Sequence, residues 1–168
     1  FAADQLSLKT PGLDKTFFAY EAFDLAATAN IRAQLNNRRE SSEMSSFDIQ
    51  LGKKNPINFT LQDAKLFGDN FALHELTENG TRVVPFDTDI AFKGIVNGNP
   101  NQRVRLTITD EIFYAWFELD GEEYFVEPLW YLDKKSRGSS THVMYRKKDV
   151  RPNPHLTCGN EDVIQMQR

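Results

Sequence analysis

Apolar and polar residues alternate with a period of two over most of the chain after residue 46. The runs 47–51 and 57–61 alternate cleanly, and the intervening Gly-Lys-Lys-Asn-Pro is typical of a turn, so this stretch predicts a β-hairpin. The whole pattern predicts a mainly β protein, built as an antiparallel sandwich or a partly open barrel. Further strands, each bounded by turn residues, are predicted at 70–76, 82–84, 90–96, 103–109, 112–119, 124–129 and 141–145.

The N-terminal part of the chain has a different pattern. From residue 17 to residue 39, apolar residues recur at three- and four-residue steps, and Gly and Pro are absent, which predicts a short helical segment. Residues 16–20 suit a strand equally well, so an extended start is the alternative. The serine-rich stretch that follows predicts an exposed linker. We therefore expect three parts: an N-terminal segment with its linker at 1–46, a β-rich body at 47–150 and a C-terminal tail at 151–168.

Aromatic residues are densest between residues 112 and 130. Both faces of the strand predicted at 112–119 carry large side chains, so we expect a central strand that is covered on both sides. These rings are predicted to be core residues, and an exposed ligand platform is the alternative.

Composition restricts the classes of partner. The net charge of −4 comes from 24 acidic and 20 basic residues mixed along the sequence, so no basic surface for nucleic acid or anionic lipid is expected. No apolar run approaches the roughly 20 residues needed to span a bilayer. We expect a monomeric protein that is secreted or belongs to the ectodomain of a membrane-anchored precursor, and that does not itself insert into a membrane.

Most motifs that carry chemistry are missing. The three histidines are far apart and none has the H-E-x-x-H spacing, so the chain holds no zinc site of its own. His74 and His142 lie in predicted strands and are expected to be hydrogen-bonded structural residues. Phosphate-binding glycine loops are absent. Four carboxylates crowd one predicted hairpin, where a solvated turn is favoured over a glycosidase acid pair: Asp120, Glu122, Glu123 and Glu127.

Cys158 is the only cysteine and cannot form an internal disulfide. Its polar tail is a poor place for a nucleophile paired with His155 or His142, because catalytic thiols sit on rigid elements inside clefts. A thiolate can instead fill the fourth position of a zinc ion held by another domain, at about 2.3 Å. Two sequons begin at Asn58 and Asn79 and are possible glycosylation sites.

Three runs resemble the propeptide of reprolysin/ADAM-type zinc metalloproteases. They are Gly-Glu-Glu-Tyr-Phe-Val-Glu-Pro-Leu at 121–129, Thr-His-Val-Met-Tyr-Arg-Lys-Lys-Asp at 141–149 and Thr-Cys-Gly at 157–159. Residues 47–51 and 66–71 also resemble early strands of that prodomain, so the similarity covers about three-quarters of the chain.

This resemblance implies an autoinhibitory propeptide without catalytic residues or a cofactor of its own. Its partner would be the catalytic domain of the same precursor. Cys158 would be the cysteine-switch ligand of that domain's zinc, and the β-rich body would clamp the protease domain and assist its folding. The chain departs from the family pattern around the thiol, where Leu-Thr-Cys-Gly-Asn replaces a proline- and lysine-rich context. The alternative is a secreted β-sandwich binding or adhesion module without a protease partner.

Overall fold

Ten β-strands form most of the regular structure in the computed structural model, which describes residues 12–25, 31–33, 35 and 44–152. A short helix, α1, spans Leu129–Leu132, and residues 31–33 and 35 are also helical. Short 3-10 turns occur at Leu13–Lys15, Lys134–Ser136 and Lys147–Asp149. The strands are β1 Glu21–Asp24, β2 Ser45–Ile49, β3 Ile57–Asp63, β4 Leu73–Thr77, β5 Gly80–Val84, β6 Ala91–Val96, β7 Asn99–Ile108, β8 Phe113–Leu119, β9 Glu122–Pro128 and β10 Thr141–Arg146.

Eight of these strands form one antiparallel sheet that curls into a half-barrel. The strand order is β1-β10-β9-β8-β7-β6-β3-β2, so strands β6 to β10 form a meander in which chain neighbours are also sheet neighbours. Strands β4 and β5 pair only with each other, in a separate two-stranded sheet. The prediction of a mainly β protein is confirmed, and of the two predicted architectures the partly open barrel describes this sheet.

The core lies on the inner face of the half-barrel. Buried and more exposed residues alternate along β2, β3 and β8, because successive side chains of a strand point to opposite faces. Phe59 and Phe117 meet across the core with their ring centroids 5.3 Å apart. A smaller cluster, Leu13, Phe17, Leu129 and Val143, packs on the other side of β10.

The edge strand β1 also contacts the turn between β2 and β3, which partly closes the half-barrel. The Glu21 carboxylate accepts a hydrogen bond from the backbone N–H of Lys53. Gly52 lies in the same turn with a φ of 62°, and a Cβ atom there would be 2.3 Å from Oε1 of Glu21. The positive φ favours glycine at this position, and any larger residue would displace the Glu21 carboxylate from the closing contact.

We expect Gly52→Ala to lower the free energy of unfolding by about 2 kcal/mol, since alanine at positive φ costs about 1 kcal/mol and the Glu21 contact is displaced as well. Gly98→Ala is the matched control, because Gly98 has a φ of 67° but open space around a Cβ. Urea titration of both variants separates backbone strain from loss of the closing contact. Equal losses would show that the Glu21 contact adds nothing to stability.

Two expectations about local structure are corrected. The helix predicted from residue 17 to residue 39 is interrupted at its start, because residues 21–24 form strand β1 and pair with β10. Only residues 31–33 and 35 of that stretch are described as helical. Strand β8 is interior to the sheet, as predicted, but is covered on one face only, since Tyr114, Trp116 and Glu118 are partly exposed.

Candidate functional site

The two longer motifs of the family resemblance lie on neighbouring strands. Strand β9 pairs with β10 in antiparallel register, with His142 opposite Pro128 and Arg146 opposite Tyr124. Tyr145 lies diagonally across from Glu127, and its hydroxyl donates a 2.7 Å hydrogen bond to Oε1 of that carboxylate. Burial of this carboxylate raises the pKa of Glu127, and the hydrogen bond from Tyr145 partly opposes that rise. The two motifs therefore form one pair of adjacent strands.

His142 is buried between aromatic rings on β10. Its side chain is only 3% exposed and lies near the rings of Phe23 and Phe113. Nδ1 is 2.8 Å from the carbonyl oxygen of Ser140, and because a carbonyl can only accept, Nδ1 carries the proton. Nε2 then has a lone pair, and no described group bonds to it. Burial lowers the pKa of this histidine, so its neutral form is favoured.

A cavity of about 490 Å³ adjoins His142. Its wall includes apolar Leu25 and Trp130 together with charged Asp110, Glu111 and Arg137. Within the described residues, His, Cys, Asp and Glu side chains form no group of three or more that could hold a metal ion.

The end of the body is tied to the N-terminal segment through its backbone. Phe17 and Val150 form an antiparallel β-bridge. The N–H of Phe18 donates to the carbonyl of Asp149 at 2.7 Å, and the N–H of Arg151 donates to that of Thr16 at 2.8 Å. We call residues 16–18 and 147–151 the tail clamp, because they fix the point from which residues 152–168 continue.

Side chains reinforce the tail clamp. Nε of Arg151 donates to the Phe17 carbonyl at 3.1 Å, and its guanidinium lies 4.1 Å from the centre of the Phe18 ring. Arg146 forms an ion pair of 2.5 Å with Asp149. A cation over a ring contributes about 0.5–1 kcal/mol at an exposed site, so these contacts add to the backbone pairing.

A small groove of about 200 Å³ lies beside the tail clamp. Nζ of Lys54 donates to the hydroxyl of Tyr124 at 3.0 Å and lies 4.3 Å from the centre of its ring. Tyr124 in turn stacks on Phe117, with 5.1 Å between centroids. The groove is also lined by Ala19, Tyr20, Glu21, Met144, Tyr145, Arg146 and Asp149.

The carboxylates near the β8–β9 turn are engaged by cations. Glu123 accepts from Lys147 at 2.8 Å, and Glu122 pairs with Lys148. The hydrogen bond from Lys147, followed by one from Trp116, lowers the pKa of Glu123. These pairs connect β9 to the 3-10 turn of the tail clamp. Glu122 and Glu123 are therefore ion-paired near the turn, whereas Glu127 is half-buried and bonded to Tyr145, so the predicted solvated turn describes only part of this group of carboxylates.

The remaining candidate residues do not lie on β9, β10 or the tail clamp. Cys158 and His155 lie outside the described residues. His74 lies in a strand, as predicted, but is exposed on β4, so its position gives no support to the expected structural role. Asn58 is partly buried in β3 and donates to Asp48 at 2.9 Å, whereas Asn79 is exposed in the β4–β5 turn. Asn79 is therefore the more accessible of the two possible glycosylation sites.

The tail clamp was not found from the sequence. Thr16–Phe18 and Lys147–Arg151 are more than 125 residues apart, and although residues 16–20 were expected to suit a strand, residues 147–151 have no strand pattern. The aromatic pair Phe17–Phe18 and the basic run Arg146–Lys148 were the available signals. Neither feature indicates that residues 16–18 pair with residues 147–151.

No protein-family model matches the chain, and no curated protein matches it significantly. No helix among the described residues is both long enough and apolar enough to span a membrane.

Proposed function

We propose that this chain is the autoinhibitory propeptide of a secreted zinc metalloprotease. The observation that carries the proposal is the arrangement of the three resembling motifs: two form the paired strands β9 and β10, and the chain then passes through the tail clamp toward the segment with Cys158. The body has no catalytic role of its own in this proposal. It keeps the precursor latent and assists the folding of the protease domain.

The proposed inhibition combines a metal ligand with a steric block. Cys158 follows Pro152 by six residues, which span at most about 20 Å when fully extended. The thiol is therefore kept within a short distance of the tail clamp. A covalently attached domain presents such a ligand at high effective concentration, so a weak contact is sufficient to occupy the zinc. The zinc belongs to the catalytic domain, where a thiolate in the fourth position replaces the water that attacks the peptide.

The proposed propeptide has one partner and acts outside the cell. The partner is the catalytic domain of the same precursor, and the propeptide itself is a monomer without a cofactor. The precursor is secreted or exposed outside the cell. The protein sequence after Arg168 provides the first test: an H-E-x-x-H-x-x-G-x-x-H helix is expected there, and a precursor without it would refute the proposal.

A second candidate function is a secreted β-rich binding module. The observation that favours it is the number of exposed apolar side chains around β4 and β5, which is unusual for a surface without a partner. In that case Cys158 has no metal to bind, and binding to a partner is independent of zinc.

We expect Cys158→Ala to weaken inhibition of the separately produced catalytic domain by about tenfold to hundredfold, because the variant cannot ligate the zinc; this corresponds to about 1.4–2.8 kcal/mol of binding free energy. Thr157→Ala is the control, because it changes the neighbouring residue and keeps the thiol. Inhibition constants measured with a fluorogenic peptide give the comparison.

Cobalt substitution of the catalytic domain adds a readout at the metal. Wild-type chain is expected to produce a thiolate-to-cobalt absorption band that Cys158→Ala does not produce. Unchanged inhibition by Cys158→Ala would show that the body blocks the cleft sterically without the thiol. Absence of any inhibition by the wild-type chain would refute the propeptide function itself.

A further inference from the structure

Exposed apolar side chains are concentrated in one part of the protein. We call residues 63–89, which contain β4 and β5, the acidic hairpin. The three most exposed large apolar side chains of the described residues lie in it, namely Leu76 at 83%, Leu66 at 69% and Val83 at 64%. Single exposed apolar residues are normal, but a cluster of this kind indicates an interaction site. Of the ten large apolar side chains exposed in the described part, the acidic hairpin contributes six: Leu66, Phe71, Leu73, Leu76, Val83 and Phe86.

Contacts within the acidic hairpin hold its strands together, and Arg32 from outside the hairpin forms an ion pair with Asp87. The rings of Phe67, Phe71 and Phe86 lie 4.6–5.5 Å apart and form a small aromatic cluster at its base. Arg82 and Glu75, which face each other across the two strands, form an ion pair of 2.6 Å. A two-stranded hairpin is at best marginally stable alone, so these contacts hold the strands in place before a partner binds.

The register places the most exposed residues of the two strands on one face. His74 is opposite Val83, and Leu76 is opposite Thr81. Residues opposite each other in an antiparallel pair point to the same side, and alternate pairs share that side. Leu76 and Val83 therefore form one exposed apolar surface, with the Glu75–Arg82 pair on the other face.

The negative charge of the chain is also concentrated here. The acidic hairpin has six acidic and two basic residues, which gives −4. The chain has 24 acidic and 20 basic residues, so 18 of each remain elsewhere and the rest of the protein is neutral overall. The expectation that acidic and basic residues are mixed along the sequence is therefore wrong for the hairpin. Its acidic residues are Asp63, Asp69, Glu75, Glu78, Asp87 and Asp89.

We propose that the acidic hairpin docks into an apolar groove bordered by Lys and Arg side chains on the catalytic domain, as a second attachment point separate from Cys158. The inference rests on the proposed function. Charge complementarity favours this occupant: a basic border attracts the hairpin, whereas the same face of a second copy of this chain would bring two negative surfaces together. Two attachment points on one partner increase the overall affinity beyond that of either alone.

The apolar surface is tested with the double variant Leu76→Ser/Val83→Ser, using the catalytic domain that follows Arg168 in the precursor as a separate polypeptide. Both residues are largely exposed, so the fold should be retained, which circular dichroism checks. We expect the dissociation constant measured by biolayer interferometry to rise at least tenfold. Met44→Ser is the matched control, because Met44 is half exposed outside the hairpin, and it should change the constant less than twofold.

The charge is tested with Asp69→Lys and Glu78→Lys, with Asp14→Lys as an exposed control outside the hairpin. Salt is expected to weaken binding of the wild type and of Asp14→Lys more steeply than binding of the two hairpin variants. Equal affinity and equal salt dependence for all variants would overturn the docking inference.

The outcomes separate this inference from the proposed function. If the wild-type chain inhibits and the hairpin variants inhibit equally well, the docking inference fails and the propeptide function stands. If the wild-type chain neither binds nor inhibits, both fail. A wild-type dimer in sedimentation velocity that Leu76→Ser/Val83→Ser dissociates would assign the surface to a second copy and overturn the inference.

Discussion

Gly94→Ala is expected to destabilise the protein by about 3 kcal/mol or more, a large part of the 5–15 kcal/mol that holds a typical domain together. Gly94 lies in β6, between Leu61 of β3 and Val104 of β7. A Cβ atom there would be 1.8 Å from the carbonyl oxygen of Thr60 and 2.8 Å from its carbonyl carbon. Backbone atoms cannot rotate away, so β3 and β6 would have to separate and lose ladder hydrogen bonds.

Gly68→Ala is the matched control for this effect. Gly68 has no neighbouring atom within 4 Å of an added Cβ and no positive φ, so the same chemical change should alter stability by less than about 0.5 kcal/mol. Urea denaturation followed by tryptophan fluorescence measures both variants. A Gly94→Ala midpoint equal to that of Gly68→Ala would contradict the close approach of β3 and β6.

Stability is expected to fall by up to about 1.4 kcal/mol per pH unit as the pH drops below about 6.5, because of His142. Burial lowers the pKa of this histidine in the folded state, so the unfolded chain takes up the proton first. Stability rises with pH wherever the unfolded state binds more protons. The contribution of His142 is therefore complete above the unfolded pKa and is lost progressively toward the lower folded pKa.

The surroundings of His142 oppose a positive charge only in part. Its side chain lies against the rings of Phe23 and Phe113, and a proton on Nε2 would have no described acceptor. Asp24 on β1 favours the charged form, but desolvation is the largest influence on the pKa. Two acidic groups and one basic group also line the adjoining cavity, namely Asp110, Glu111 and Arg137.

His142→Asn isolates this effect. The asparagine amide can still donate to the Ser140 carbonyl but does not titrate, so the slope of unfolding free energy against pH between 5 and 6.5 should become smaller. If His142→Asn and wild type have the same slope, the buried histidine does not control acid stability.

Two other shifted pKa values affect stability in ways that can be distinguished from the effect of His142. The raised pKa of Glu127 acts in the opposite direction, because its folded form takes up a proton first as the pH falls. Arg103 holds the pKa of Glu118 at about 2, so that exposed pair is lost only in stronger acid, below the window of His142.

Seven strands predicted after the first hairpin, and both strands of that hairpin, correspond to strands of the structure within a few residues. The reason is local: alternation of residues such as Phe47, Ile49 and Leu51 is incompatible with a helical surface, and turn residues mark each end. Strand β1 was not predicted, because the apolar residues around it have helical spacing. Its extended form depends on pairing with β10, about 120 residues away. A contact at that separation leaves no periodic trace in the local sequence.

The sequence by itself determined the β class, most strand positions, the absence of a metal motif and the lack of a second cysteine to pair with Cys158. Only the tertiary structure decided that the sheet curls into a half-barrel, that residues 16–18 clamp residues 147–151, and that β4 and β5 stand apart from the main sheet. The difference has a physical cause. Strand formation follows from local alternation, whereas sheet order and exposure depend on which distant segments bury each other's apolar faces.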